Sequence, residues 1–324
     1  MRIGSLFSGA AGLDRAVASF FDAEVRWFSE TDTAASKVLA HHYPSVPNLG
    51  DVRTIPWRDV EPIDILAGGF PCGDVSVAGL RAGMHNTHSG LWSYMADAID
   101  VLRPRYVVIE NVRGLLSANA HRPVESDTND LGSGSDGPVL RAMGAVLGDL
   151  SDLGGYEARW FTVPAAAAGA PHLRERVFIL AFQSGVELNR AVDCPVSGRN
   201  IDLLPTPCAS DRFGAGPHGV GGMDLRTTLA SLELSSSGIV WGKYENAIQR
   251  WEQLTRPAPP AMERGESGIM RLAAVFSEWM MGWPAGWVTD PAIGISRKNQ
   301  LRIVGNGVVS RQAELALTML ASVG

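Results

Sequence analysis

The chain has 324 residues, 45% of them hydrophobic and 19% charged, enough to bury a sizeable core and to make one large domain plus a smaller one. A formal net charge of -6 argues against a uniformly basic nucleic-acid binder, and three cysteines without C-x-x-C spacing argue against a disulfide framework and a zinc site. No basic leader precedes the first apolar segment and no apolar run approaches about 18 residues, so neither a signal peptide nor a membrane-spanning helix is expected, and a cytoplasmic protein is.

Residues Arg2 to Phe7 read as a first strand, followed by a Gly-rich turn and an apolar-periodic helix from Leu13 to Phe21, a Rossmann-like opening. The turn spaces Gly9 and Gly12 as G-x-x-G and lacks the G-x-G-x-x-G fingerprint that seats a pyrophosphate, which counts against a nicotinamide dinucleotide. A second strand, Glu24 to Ser29, ends in Glu30, placed either to accept from ribose hydroxyls or to be a solvated strand-end acid. Thr31 to His42 reads as a helix.

The apolar run Ile63 to Ala67 reads as a strand that delivers Gly68-Gly69-Phe70-Pro71-Cys72-Gly73 to its C-terminal edge, where open α/β sheets bind ligands. Cys72 there is either a nucleophile or a small buried hydrophobe; Pro71 fixes the backbone beside it. Asp74 to Gly90 has no periodicity and is too long for a tight turn, so a functional loop is expected. A helix at Leu91 to Leu102 and a buried strand at Arg105 to Ile109 follow, the latter delivering Glu110 to the edge that carries Cys72. A carboxyl at the end of an apolar strand is prone to a raised pKa, which suits a general acid; a turn-capping Glu is the alternative.

Ser117 to Pro138 reads as a long exposed loop, followed by a helix at Val139 to Leu153 and a strand at Tyr156 to Val163. Arg174 and Arg176 precede the apolar strand Val177 to Phe182, and their i, i+2 spacing predicts both guanidiniums on one face of an extended segment. From Ser184 to about Ser267 Pro, Gly and Ser become frequent, with eight Lys and Arg against ten Asp and Glu; Arg212 and Arg226 sit beside or among these loops and are candidates to enter a nucleic-acid groove. Leu272 to Met281 reads as a helix followed by Gly282-Trp283-Pro284-Ala285-Gly286-Trp287, whose Met and Trp residues are expected in the core. A last helix runs from Ser310 to Leu320.

Five of these stretches, in this order, resemble the motifs of the C5-cytosine DNA methyltransferases: Ser5 to Asp14, Pro71-Cys72, Glu110-Asn111-Val112, Arg174-Glu175-Arg176-Val177-Phe178 and Gly305-Asn306-Gly307-Val308-Val309. The resemblance covers nearly the whole chain apart from the loop after Gly114 and the Pro- and Gly-rich region. It implies an α/β, Rossmann-like S-adenosylmethionine-dependent methyltransferase fold with a smaller, loop-rich target-recognition domain. The catalytic and cofactor-binding domain would comprise residues 1–184 plus 288–324, and the recognition domain with its supporting helix residues 185–287.

By the same resemblance Cys72 is the nucleophile, Glu110 the acid, and Arg176 and Arg174 hold the base carbonyl and order the closed site. The cofactor, S-adenosylmethionine (leaving as S-adenosylhomocysteine, with no metal), is expected against Phe7, Ser8, Gly9, Gly12, Leu13, Glu30, Thr31, Asp51, Val52, Pro71, Leu91, Asn306 and Val308. Phe7 would stack near the adenine, Glu30 take the ribose, and Asp51 with Val52 take the adenine amino group and ring face. The loop after the nucleophile would close over an extruded base, with Arg81 and Ser89 near phosphates. The implied substrate is a cytosine in a short double-stranded DNA sequence, bound by a monomer whose acidic body carries a local basic cleft; a restriction endonuclease acting on the same site would be its companion. Two departures stand out: Gly73 and His172 occupy positions where the family usually has Gln. A tRNA cytosine-5 methyltransferase and a weakly active or inactive DNA-binding relative are the alternatives.

Overall fold

A computed structural model describes residues 1–71, 90–118, 142–186, 201–212, 224–235, 238–265 and 268–322. Cys72, Gly73, Arg81 and Ser89 therefore lie outside the described residues. Six strands form the central sheet: β1 (Arg2–Leu6), β2 (Glu24–Ser29), β3 (Ile65–Gly68), β4 (Tyr106–Val112), β5 (Tyr156–Pro164) and β6 (Glu175–Gln183). Their order is β2-β1-β3-β4-β6-β5. The first four are mutually parallel, whereas β6 runs antiparallel to both β4 and β5.

Both sheet faces are covered, so the strands are nearly continuous apolar runs whose alternate residues serve opposite layers. Val107 and Ile109 of β4 face α3 (Leu91–Leu102) and α4 (Ala142–Gly154), in a core with Trp92, Met95, Ile99, Val146 and Leu150. Tyr106 and Val108 face α1 (Gly12–Phe21) and α9 (Ser310–Ser322), in a core with Ala16, Val17, Ala313, Leu317 and Leu320. Within the first layer, Trp92 Nε1 donates to the buried Asp149 carboxylate at 2.7 Å.

The predicted helix at Leu91–Leu102 is found with those bounds, and most other predicted elements shift by a few residues. The helix predicted from Thr31 is α2 (Thr33–His42), because Asp32 caps it by accepting from the Ala35 N–H at 2.8 Å. Strand β4 continues through Glu110 instead of ending before it. The region read as loop-rich contains, among its described residues, α5 (Leu225–Ala230), the strand pair β7 (Leu234–Ser235) and β8 (Gly238–Ile239), α6 (Glu245–Leu254) and β9 (Met262–Arg264). Strand β9 pairs with β10 (Met270–Leu272), which takes the first residues of the helix predicted from Leu272 and leaves α7 at Ala274–Met280. Helix α8 (Arg297–Asn306), which sequence periodicity did not reveal, leads into the C-terminal cofactor motif.

The third core joins these later elements to the earliest ones: Ala10, Ala34 and Val38 pack in one cluster with Trp251, Phe276, Trp279, Met281, Trp283 and Val309. The Met and Trp residues around 279–283 are thus interior, at 2% exposure or less. No helix among the described residues is long and apolar enough to cross a membrane. Replacing Asp149 by Ala strands the Trp92 indole N–H in a dry layer, and should cost about 1–3 kcal/mol of unfolding free energy in a urea titration.

Candidate active site

Two adjoining cavities open at the C-terminal edge of the parallel strands. The larger, about 620 Å3, is lined by Phe7, Glu30, Thr31, Asp51, Val52, Pro71 and Leu91, all expected from the sequence, and by Arg53 and Tyr94, which were not. The second, about 440 Å3, shares Phe7, Glu30, Gly69 and Pro71 with the first and extends to Glu110, Arg176 and Asn306. Ser8, Gly12, Leu13 and Val308 line a smaller recess beneath the first turn.

That turn is built from backbone that most residues avoid. Phe7 lies in the left-handed region at φ 54°, which ends β1 and sets its ring between the two cavities, at a cost of about 1–3 kcal/mol. Gly12 has no alternative, because a Cβ there would sit 2.5 Å from the Val308 carbonyl oxygen. The Glu30 carboxylate is fixed by two backbone donors, Gly9 N–H and Asp32 N–H, each at 2.7 Å on a different oxygen. Asp51 accepts from the Arg53 N–H and guanidinium, which holds its carboxyl below the usual range. Asp51 thus lines the larger cavity already ion-paired, a constraint the sequence did not disclose.

At the other end of the site the direction of β6 decides the chemistry. Because β6 is antiparallel, its first residues return to the edge where β4 ends, with Arg176 opposite Val112 and Phe178 opposite Glu110. Arg176 Nε lies 3.0 Å from Glu110 Oε1, with the two side chains 17% and 12% exposed. Burial pushes the Glu110 carboxyl up, and Arg176 and then Arg174 pull it back only in part, leaving it above the ordinary value. Beside it, Asn111 donates from Nδ2 to the Phe70 carbonyl at 2.8 Å, pinning the backbone that leads through Pro71 into Cys72. Asn111 was quoted in a motif but given no role; its place immediately after Glu110 was the available signal.

Arg174 does not behave as its spacing predicts. It is not extended, with φ 30°, so strand alternation does not align it with Arg176. Its guanidinium turns inward, 4% exposed for the residue, and donates to the carbonyls of Pro207, Gly305 and Gly307. Gln312 of α9 donates from Nε2 to the Arg174 and Val163 carbonyls, both at 2.7 Å. His172 is also interior, its Nε2 on the Met280 carbonyl at 3.1 Å; burial and the arginines push its pKa down to about 3, so it is neutral. The side chain that replaces the usual Gln there ties the β6 approach to α7.

Of the two arginines expected at a nucleic-acid groove, Arg226 is corrected. It is 4% exposed, with its guanidinium held by Asp224 and Asp211, because it lies on the inner face of α5. Arg212 is half-buried at the end of a helical turn, Ala209–Arg212, packed on α8. Two tryptophans brace the site from outside: Trp287 Nε1 donates to the Ala10 carbonyl at 2.8 Å and Trp283 Nε1 to Val308 at 3.0 Å. The turn that carries Trp287 is wound on the buried Glu278 carboxylate, which accepts from the N–H groups of Gly286, Val288 and Thr289.

A sequence profile for C-5 cytosine-specific DNA methylases matches residues 1–213. The chain belongs to this C5-cytosine DNA methylase family. Over 96% of its length this methylase is 27% identical to the Type II methyltransferase M2.BsuMI of Bacillus subtilis, covering 73% of that protein. Over 61% it is 36% identical to the Type II methyltransferase M.Eco47II of Escherichia coli, and over 47% it is 30% identical to M.NlaIV of Neisseria lactamica. The matched stretches span 43% and 33% of those two relatives, less than half of each. Among solved structures it is similar to the Dnmt2 methyltransferase of S. pombe, with TM-score 0.56, 13% identity, and 99% and 97% of the two chains covered. A putative DNA modification methyltransferase encoded within an E. coli prophage gives TM-score 0.55 at 17% identity, covering 98% and 97%. These likenesses show the S-adenosylmethionine-dependent methyltransferase fold.

The inward turn of Arg174 generates a test of what it does. Lysine keeps the charge but cannot span three carbonyls, so Arg174→Lys should lower unfolding free energy by about 2–4 kcal/mol. The exposed Arg113, paired with Glu175, should tolerate the same change within about 0.5 kcal/mol. Equal costs in chemical denaturation would return Arg174 to a purely functional role.

Proposed function

We propose that this methylase transfers a methyl group from S-adenosylmethionine to carbon 5 of a cytosine in duplex DNA, through a transient bond to Cys72. The observation that carries the reading is the Glu110 and Arg176 pair, held in one cavity with Pro71, the residue that leads into Cys72. Asn111 on the Phe70 carbonyl supports it, because a positioned nucleophile needs a fixed backbone.

The residues fit the cofactor. A fixed Glu30 suits ribose hydroxyls, Val52 and Phe7 offer apolar surface to an adenine, and the close approach of Gly12 to Val308 leaves backbone walls for the amino-acid end. When bound, S-adenosylmethionine supplies an electrophilic methyl on sulfur. Carbon 5 of cytosine is a poor nucleophile, and the chain's part is to change that. The Cys72 thiolate adds to carbon 6, and Glu110 donates its proton to ring nitrogen 3, relieving the charge that builds there. Carbon 5, now enamine-like, takes the methyl; loss of its proton then expels the thiolate. Arg176 holds Glu110 through Nε and gives Nη1 to the Glu175 carbonyl, so Nη2 is the donor it would offer to the base carbonyl. Carbon 6 is inaccessible in stacked duplex, so the base must be extruded.

Residues 185–287 are assigned to target recognition, with Arg212, Arg81 and Ser89 as phosphate or base contacts and the -6 body leaving a local basic cleft. Type II and orphan phage enzymes both occur among the relatives, and a companion endonuclease is the expectation for the former.

Purified protein, Cys72→Ala and Glu110→Gln are incubated with unmethylated duplex DNA or with tRNA, followed by nucleoside mass spectrometry and conversion sequencing. The expected result is 5-methylcytosine in one short DNA context, none with Cys72→Ala, and a rate about 100- to 10,000-fold lower with Glu110→Gln. Product on tRNA alone overturns the DNA assignment. The pH profile gives a second test. The acid works protonated, so the rate should fall as pH rises through the elevated Glu110 value. Removing the nearest positive charge, in Arg176→Gln, raises that value further and should move the descending limb to higher pH, whatever the loss in maximal rate.

A further inference from the structure

The cavity wall that carries Glu30 holds a second acid. Asp32, two residues further on, lines the same cavity of about 440 Å3, and the reaction above uses only Glu30. The two are joined through the backbone between them: the Asp32 N–H donates to Glu30 Oε1 at 2.7 Å, while the Gly9 N–H holds Oε2 at the same distance. Asp32 cannot simply be dispensed with, because its Oδ1 caps α2 by accepting from the Ala35 N–H at 2.8 Å. Two carboxylates so close on one half-buried wall repel each other unless a cation offsets one of them.

That cation comes from the far end of the chain. Arg302 of α8 places Nη2 3.0 Å from Asp32 Oδ1 and 2.8 Å from Oδ2, across 270 positions. Its side chain is 24% exposed and lines the same cavity. Burial opposes ionisation of Asp32, but the Arg302 and Ala35 hydrogen bonds outweigh it and hold the carboxyl below its usual range. The other arginine of this wall, Arg176, is committed to Glu110. Each Glu30 oxygen, with a single N–H bond, keeps acceptor capacity for a ligand.

We propose that Arg302 is a positioning residue for ribose recognition: by pairing with Asp32 it cancels the repulsion between neighbouring carboxylates and so keeps Glu30 seated on its two N–H donors. It touches neither the ribose nor a reacting atom in this role. The inference rests on the cofactor reading given above, in which Glu30 takes the ribose hydroxyls. Its loss weakens the grip on the ribose and leaves the chemical step alone.

The test is calorimetric titration of the protein with S-adenosylhomocysteine and with its 2′,3′-dideoxyribose analogue, together with steady-state kinetics of methyl transfer. The wild type should prefer the natural ligand by about 100-fold, and Arg302→Gln should cut that preference to about tenfold by weakening the natural ligand alone. In the same variant KM for S-adenosylmethionine should rise about tenfold with kcat within about twofold, the split expected of lost binding rather than lost chemistry. Arg302→Lys should recover most of the affinity, because Nη2 alone makes both contacts and an ammonium can replace it. Asp32→Asn keeps a capping side chain without the charge, so adding it to Arg302→Gln should restore the preference to within about threefold of wild type. That double variant leaves no charge unpaired and carries the test where Arg302→Gln folds poorly. Equal losses for both ligands in Arg302→Gln, an unchanged preference, or a double variant as impaired as the single one overturns the inference while the cofactor reading survives. A wild type that binds both ligands equally removes the ribose from Glu30, and one that binds neither removes the cofactor reading; the inference falls with each.

Discussion

Glu110 and Arg176 meet at 3.0 Å because β6 runs against the other five strands of the sheet, and much of the site follows from that reversal. A fully parallel sheet would send the start of β6 to the opposite edge, about seven residues of strand away from Glu110. Desolvation and attraction compete in the pair, and desolvation prevails at Glu110. An acid poised above its ordinary pKa yet held in place by a guanidinium can give up a proton without leaving its position. A more exposed pair would lose the shift, and a carboxyl buried alone would lose the orientation.

The second constraint is that the cofactor turn does not support itself. Its left-handed residues Phe7, Gly9 and Ala11 need external partners, and these come from the far end of the chain. Trp287 reaches the Ala10 carbonyl across 277 positions, Ser310 the Gly12 carbonyl across 298, and Val308 packs where Gly12 has no side chain. The helices and turns after residue 270 therefore support the Gly-rich turn, and the third core, running from Ala10 to Val309, joins them to it in one apolar mass.

Charge distribution bears on the nucleic-acid side. Among the described residues, several arginines of this protein with net charge -6 are committed: Arg226 to Asp211 and Asp224, Arg302 to Asp32, Arg297 and Arg271 to Glu263, Arg174 to three carbonyls. Phosphate affinity depends on the few cations that actually meet the backbone, so these intramolecular pairs matter more than the total. A buried guanidinium paired to two carboxylates holds a fold together and neutralises nothing on a partner.

The sequence by itself determined which chemical groups are present and their order: the turn with G-x-x-G, the acid at the end of an apolar strand, the two arginines before another, and the residues expected against adenine and ribose, which line one cavity. These are local statements, legible because strand alternation, turn glycines and strand-end placement are set by near neighbours. It could not show that Arg174 turns inward while Arg176 meets Glu110, since a positive φ at one residue breaks the alternation the spacing assumed. Nor could it show that Arg226 is interior, that Asn111 holds the Phe70 carbonyl, that Asp14 is buried with one carboxylate oxygen unpartnered, or that Trp287 braces Ala10. Each of those depends on the direction of β6 or on packing between segments far apart in the chain, and only the assembled tertiary structure, in which burial and long-range hydrogen bonds compete for the same side chains, decides them.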